Sequence, residues 1–122
     1  MKSSLLYFFV ILAGTFQTIH AQNLVFDVDC TAGTDTFSYC YDSNDNSTYT
    51  FTSTTTGAPV FLEFLAGTIE SGFDDITVYD SADNSGDVLF SGDNGGDLAG
   101  LNFQSTGDSL FIEVDSDGSI SC

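Results

Sequence analysis

The sequence predicts an all-β fold, a sandwich or barrel of short strands, from three observations. Apolar residues recur with period two in short stretches, the mark of a strand with one buried face. Clusters of Gly, Asn, Asp and Ser separate these stretches at close spacing, as in sandwiches and barrels. No segment keeps a helical period for three turns.

The strands are expected in order. Leu24 to Val28 alternates apolar and acidic residues. Ser47 to Ser53 (STYTFTS) is β-branched and aromatic at alternate positions, so one face is buried. Thr54 to Pro59 is a turn. Val60 to Ala66 places Val60, Leu62, Phe64 and Ala66 on one face. Ile76 to Tyr79 is a strand, and Asp80 to Asp87 (DSADNSGD) a loop. Val88 to Phe90 is a short strand before a second Gly- and Asp-rich loop, Ser91 to Asp97. Leu101 and Phe103 mark another strand. Ser109 to Val114 (SLFIEV) turns Leu110, Ile112 and Val114 to the core.

The charge balance excludes several functions. The chain carries 18 acidic residues against one Lys+Arg, a net charge of -17. The one base is Lys2, and the one histidine is His20. Without cations the domain cannot neutralise phosphates, which excludes nucleic acid as a partner, nor can it dock electrostatically on anionic lipid. It has no imidazole beyond residue 20 for general-base or zinc chemistry. Disorder is the alternative for so acidic a chain. A hydrophobic fraction of 42 %, with twelve Phe and five Tyr, favours a folded domain with an acidic surface.

Residues 1–21 form an address rather than part of the fold. Lys2 is followed by an unbroken apolar run, Leu5 to Ala13, and Ala21 supplies the small residue at the cleavage position. The run is shorter than the roughly 20 residues that span a bilayer. A secretory signal peptide at 1–21 and a single β-sandwich domain at 22–122 are therefore expected, with no membrane insertion. The mature charge is then -18, since Lys2 leaves with the leader. An exported domain meets an oxidising, calcium-replete medium, where cysteines usually pair. Of Cys30, Cys40 and Cys122, the local pair Cys30–Cys40 is expected, although spacing alone leaves connectivity open. Cys122 at the last position implies either a bond to another chain or a longer sequence, and the second is favoured, with the domain's closing strand still to come.

Three acidic clusters are candidates for a hard cation such as Ca2+, which takes oxygen ligands. They are Glu70 to Asp75 (ESGFDD), Gly92 to Asp97 (GDNGGD) and Glu113 to Ser119 (EVDSDGS). Taken singly, each reads equally as a solvated turn. The order of motifs adds to this. Glu70 is followed by Asp74-Asp75-Ile76-Thr77-Val78, then Tyr79-Asp80-Ser81, then Ser105-Thr106-Gly107 before the strand Phe111 to Val114, and finally Ser116-Asp117-Gly118-Ser119. In that order the stretch Val60 to Ser119 resembles the CUB domain, an extracellular jelly-roll sandwich. The resemblance covers about half the mature chain and implies an antiparallel jelly-roll-like β-sandwich. It implies a calcium site made by Glu70, Asp74 and Asp117 with the Ser119 carbonyl, and a bracing tyrosine, Tyr39 or Tyr41. It also implies that partners dock at this edge of the sandwich. The chain departs from the family pattern in several respects: no cysteine pair flanks the Ile76 strand, Ile120 stands where the family has asparagine, and the gap from Glu70 to Asp74 is shorter than in many members.

A rival reading takes Glu113, Asp115, Asp117, Gly118 and Ile120 as the front of an EF-hand loop. It requires a preceding helix, whereas Ser109 to Ile112 has strand character. The function expected is non-catalytic: a calcium-assisted extracellular module that binds a protein or glycan, neutral or basic rather than acidic. The alternatives are a structural accessory domain beside a catalytic one and a small glycosidase built on two carboxylates. Asn46-Ser47-Thr48 fits a glycosylation sequon.

Overall fold

The computed structural model describes residues 22–120. The leader expected at 1–21 and the cysteine at 122 lie outside the described residues. Seven strands and one 3-10 turn make up the regular structure, and there is no α-helix among the described residues. The strands are β1 (Asn23–Val28), β2 (Thr48–Ser53), β3 (Phe61–Glu63), β4 (Asp75–Asp80), β5 (Asp87–Gly92), β6 (Asn102–Gln104) and β7 (Ser109–Asp115). The all-β, sandwich-like class is as expected.

The larger sheet has five strands in the order β1-β2-β7-β4-β5, and the smaller pairs β3 with β6. The sheet is mixed rather than purely antiparallel, because β1 joins β2 in parallel, Asn23 opposite Thr48 through Val28 opposite Ser53. Parallel neighbours need a long connection, and residues 29–47 supply it. β7 lies at the centre, antiparallel to both β2 and β4. β3 is shorter than the alternation of Val60 to Ala66 suggests. Gly67 ends that segment at φ +159, in extended backbone that any residue adopts, with its Cα side against Leu98.

Between the sheets lies the core. Leu110 and Val78 are fully buried, and Val60 is 1 % exposed. They pack with Ile76, Ile112 and Val114 from the larger sheet and with Ile69 and Leu98 from the loops. β7 departs from strict alternation: Phe111 is also buried, on the outer face. Its ring lies 5.9 Å from Tyr79. The loop after β4 reaches back over this face, where Thr50 donates to the Ala82 carbonyl and Asn84 to Glu113. An acidic loop thus gives the outer face a partial cover.

The expected Cys30–Cys40 pair is not formed. Cys30 keeps a free, exposed thiol, while Cys40 is disulfide-bonded. The reason is topological. Cys30 follows the end of β1, with its sulfur 3.5 Å from the Ser53 hydroxyl at the end of β2. Cys40 lies between Tyr39 and Tyr41, whose hydroxyls reach Asp45, before the start of β2, and the backbone of Glu70. A six-residue strand is about 20 Å long, and a disulfide requires Cα atoms within about 7 Å. The segment between the two cysteines runs the height of the sheet.

Candidate metal centre

One end of the sandwich gathers three of the sequence-predicted residues. Glu70, Asp74 and Asp117 each offer a carboxylate oxygen, and these oxygens lie within 4.8 Å of one another. They come from two loops: Glu70 and Asp74 from the approach to β4, Asp117 from the segment leaving β7. β4 and β7 pair with Asp75 opposite Asp115, so the strand register itself brings the loops side by side.

Asp74 is fully buried and Asp75 exposed. Alternation explains the difference, because Asp74 shares the core face of Ile76 and Val78, both buried. A carboxylate can sit there because its Oδ1 accepts the Asp117 N–H at 2.8 Å. This bond also ties the two loops together. The Asp74 N–H donates to the Glu70 carbonyl at 3.1 Å, closing a turn that brings both side chains to one side.

Tyr41 lies beneath the cluster and is 8 % exposed. Its hydroxyl accepts the Glu70 N–H at 3.1 Å and donates to the Asp74 carboxylate. Burial pushes the Tyr41 pKa up, and the bond to Asp74 adds to the shift. Tyr41 is thus the tyrosine in contact with the cluster. Tyr39 instead donates to Asp45.

Ser119 holds Asp117. Its N–H and hydroxyl donate to Asp117 Oδ1 at 2.8 and 2.9 Å. This bracing through the amide and hydroxyl adds to the role expected of its carbonyl.

The electrostatics are those of a site short of positive charge. Desolvation holds the Glu70 carboxyl above its usual pKa, with repulsion from Asp117 and then Asp74 adding to it; a bond from Ser119 acts in the opposite direction. Glu70 Oε2 and Asp74 Oδ2 are buried and have no hydrogen-bond partner among the described residues. Buried acceptors of this kind are rare and require an explanation. The donor set is all hard oxygen, which suits Ca2+ rather than a soft metal. Oxygens around 2.4 Å from one Ca2+ are at most about 4.8 Å apart, so the observed spread fits a common ion.

The Gly92–Asp97 cluster and the Glu113 end of the third cluster contribute no ligand to this group. Asp93 accepts from the N–H groups of Gly95 and Gly72 at 2.9 and 2.5 Å, and these bonds lower its pKa. It fastens the Glu70 loop to the 3-10 turn. Glu113 accepts from Tyr79 and Asn84, away from Asp117. Because Ser109–Asp115 is a strand, the EF-hand reading lacks its helix and is set aside.

Sequence reasoning missed Asp45. It is 3 % exposed and accepts from Tyr39 and from the Ser47 N–H at 2.9 Å. Its own N–H donates to Ser116 Oγ at 2.7 Å, and Ser116 Oγ donates to the Asp42 carbonyl at 2.7 Å. The Asn44 N–H bonds the Asp117 carbonyl at 2.6 Å. Residues 42–47 therefore clamp the segment that presents Asp117. The only local hint was a turn composition, DSNDN, which is common to many loops.

No family model matches this chain, and no curated protein matches it. The case for function rests on the site itself.

Proposed function

We propose that this chain is a secreted, non-catalytic binding module whose recognition edge is ordered by Ca2+. The observation that carries the reading is the convergence of Glu70, Asp74 and Asp117 with two buried, unpartnered carboxylate oxygens, in a domain without lysine or arginine. Three carboxylates so close repel one another, and a divalent cation relieves this where the protein has no cation of its own. Glu70, Asp74 and Asp117 would hold the ion, with Ser119 beside it. Binding would join the loop before β4 to the loop after β7 and stiffen one end of the sandwich. The similarity of the motif order to CUB domains supports the same reading. The partner would be an extracellular protein or glycan, neutral or basic, because the surrounding acids disfavour an acidic one.

Calorimetric titration with CaCl2 tests the site. Wild type is expected to bind one ion, and Asp117→Ala to lose most of the affinity. Absence of binding by wild type, or equal binding by both proteins, would refute the assignment.

A further inference from the structure

The two sheets are unequal, and the inequality leaves a gap whose lining reaches Tyr41, beneath the acidic cluster. Five strands face two. Beside β3, on the side away from β6, an open cavity of about 1050 Å3 lies between the sheets. Its floor is the core face of the larger sheet, including Phe51 and Ile112. Its far wall is the strandless segment 33–39, where the Phe37 ring lies tilted, 4.7 Å from Phe26 and 5.6 Å from Tyr49. Phe37, Phe61 and Leu65 line it and remain exposed, at 44, 61 and 70 %.

The near wall is a strand edge. Val60 and Phe64 direct their backbone groups to Ser105 and Leu101, the β6 side. By alternation, Phe61 and Glu63 direct theirs into the gap, and β3 has no second neighbour among the described residues. An unpaired edge is a template for another strand. The edge excludes a purely apolar ligand as the best occupant, since fatty chains would leave those amides unsatisfied. Acids at the mouth, Asp27, Asp35 and Glu63, set the charge of what enters.

We propose that this gap binds an extended peptide segment of a partner by β-augmentation. The peptide adds a strand to the open edge of β3, turns alternate apolar side chains onto the floor, and presents basic side chains to the rim. The edge it uses, Phe61 and Glu63 of β3, contains none of the three carboxylates of the calcium site.

The probe is a blocked eight-residue peptide alternating Lys with Val and Phe, titrated into 15N-labelled protein. The amides of Phe61 and Glu63 are expected to shift and to gain protection from exchange. Two isomers N-methylated at alternate residues separate backbone pairing from apolar adsorption, since only one register faces β3. One isomer is expected to lose about tenfold or more in affinity, the worth of roughly one hydrogen bond, and the other to retain binding. Glu63→Lys is expected to weaken binding in a salt-dependent manner. Equal loss or equal retention by the two isomers would overturn the proposal. So would stronger protection of the same amides by palmitate. Protection that appears on concentrating the protein alone, together with dimers in sedimentation, would assign the edge to a second copy and also overturn it.

Discussion

Tyr41 joins two functions in one hydroxyl, which accepts from the Glu70 backbone and donates to the Asp74 carboxylate. Tyr41→Phe keeps the buried ring but leaves both groups without this partner. The expected cost is about 1–3 kcal/mol in unfolding free energy, read by urea denaturation, with weaker Ca2+ affinity in titration. Glu70 supplies a pH dependence. Its folded pKa is raised above the ordinary 4.5, so in the window above 4.5 the folded state binds more protons than the unfolded one. Stability of the metal-free protein is therefore expected to rise on acidification through this window, and to fall as pH rises through the folded pKa. Ca2+ affinity moves the opposite way, since the ion requires the carboxylate. Thermal melts with chelator and with CaCl2 across mildly acidic pH check both signs. Parallel pH profiles with and without Ca2+ would separate Glu70 from the ion.

At the scale of elements, the loops bearing the site are held by a few close approaches. Gly96 sits at φ +90, and a Cβ there would meet the Ile69 carbonyl oxygen at 3.1 Å. The Ile69 N–H donates to the Gly96 carbonyl at this contact. Gly96→Ala is expected to cost about 1–3 kcal/mol through backbone strain, and to weaken calcium binding by displacing the Glu70 loop. Beneath the loops, Leu110→Ala opens the core at its fully buried centre and should cost about 2–5 kcal/mol, a drop measurable in the urea midpoint. Legibility divides along the same line. β4 and β7 were readable because residues two apart share a face, and the same parity put Asp74, not Asp75, in the core. The position of Asp117 against Asp74 was reached through motif order, since no local pattern encodes a contact between residues 43 positions apart. The parallel pairing of β1, the separation of Cys30 from Cys40, and the Asp45 clamp were not readable. Each depends on how residues 29–47 cross the sheet, and period-two patterning carries no information about such a crossing.

At the scale of the whole molecule, charge sets the conditions for stability. The residues from Gln22 onward carry all 18 acids and no Lys, Arg or His, so their mutual repulsion is relieved only from solution. Salt screens exposed charges over about 10 Å at 0.1 M, so added NaCl should stabilise the domain gradually and without saturating at low concentration. A bound ion behaves differently. Ca2+ at 100 times its dissociation constant adds about 2.7 kcal/mol, and 1 kcal/mol raises the midpoint of a domain this size by about 4–8 °C. An upward shift of roughly 10–20 °C is therefore expected on adding CaCl2 at fixed ionic strength. In Asp117→Ala the calcium increment should collapse while the NaCl increment persists, because one carboxylate of 18 hardly alters the overall field. Melting curves of both proteins in matched NaCl and CaCl2 series separate the two effects. If both proteins respond alike to CaCl2, the cation acts only as general screening and the acids at this end of the sandwich are a charged surface without a site.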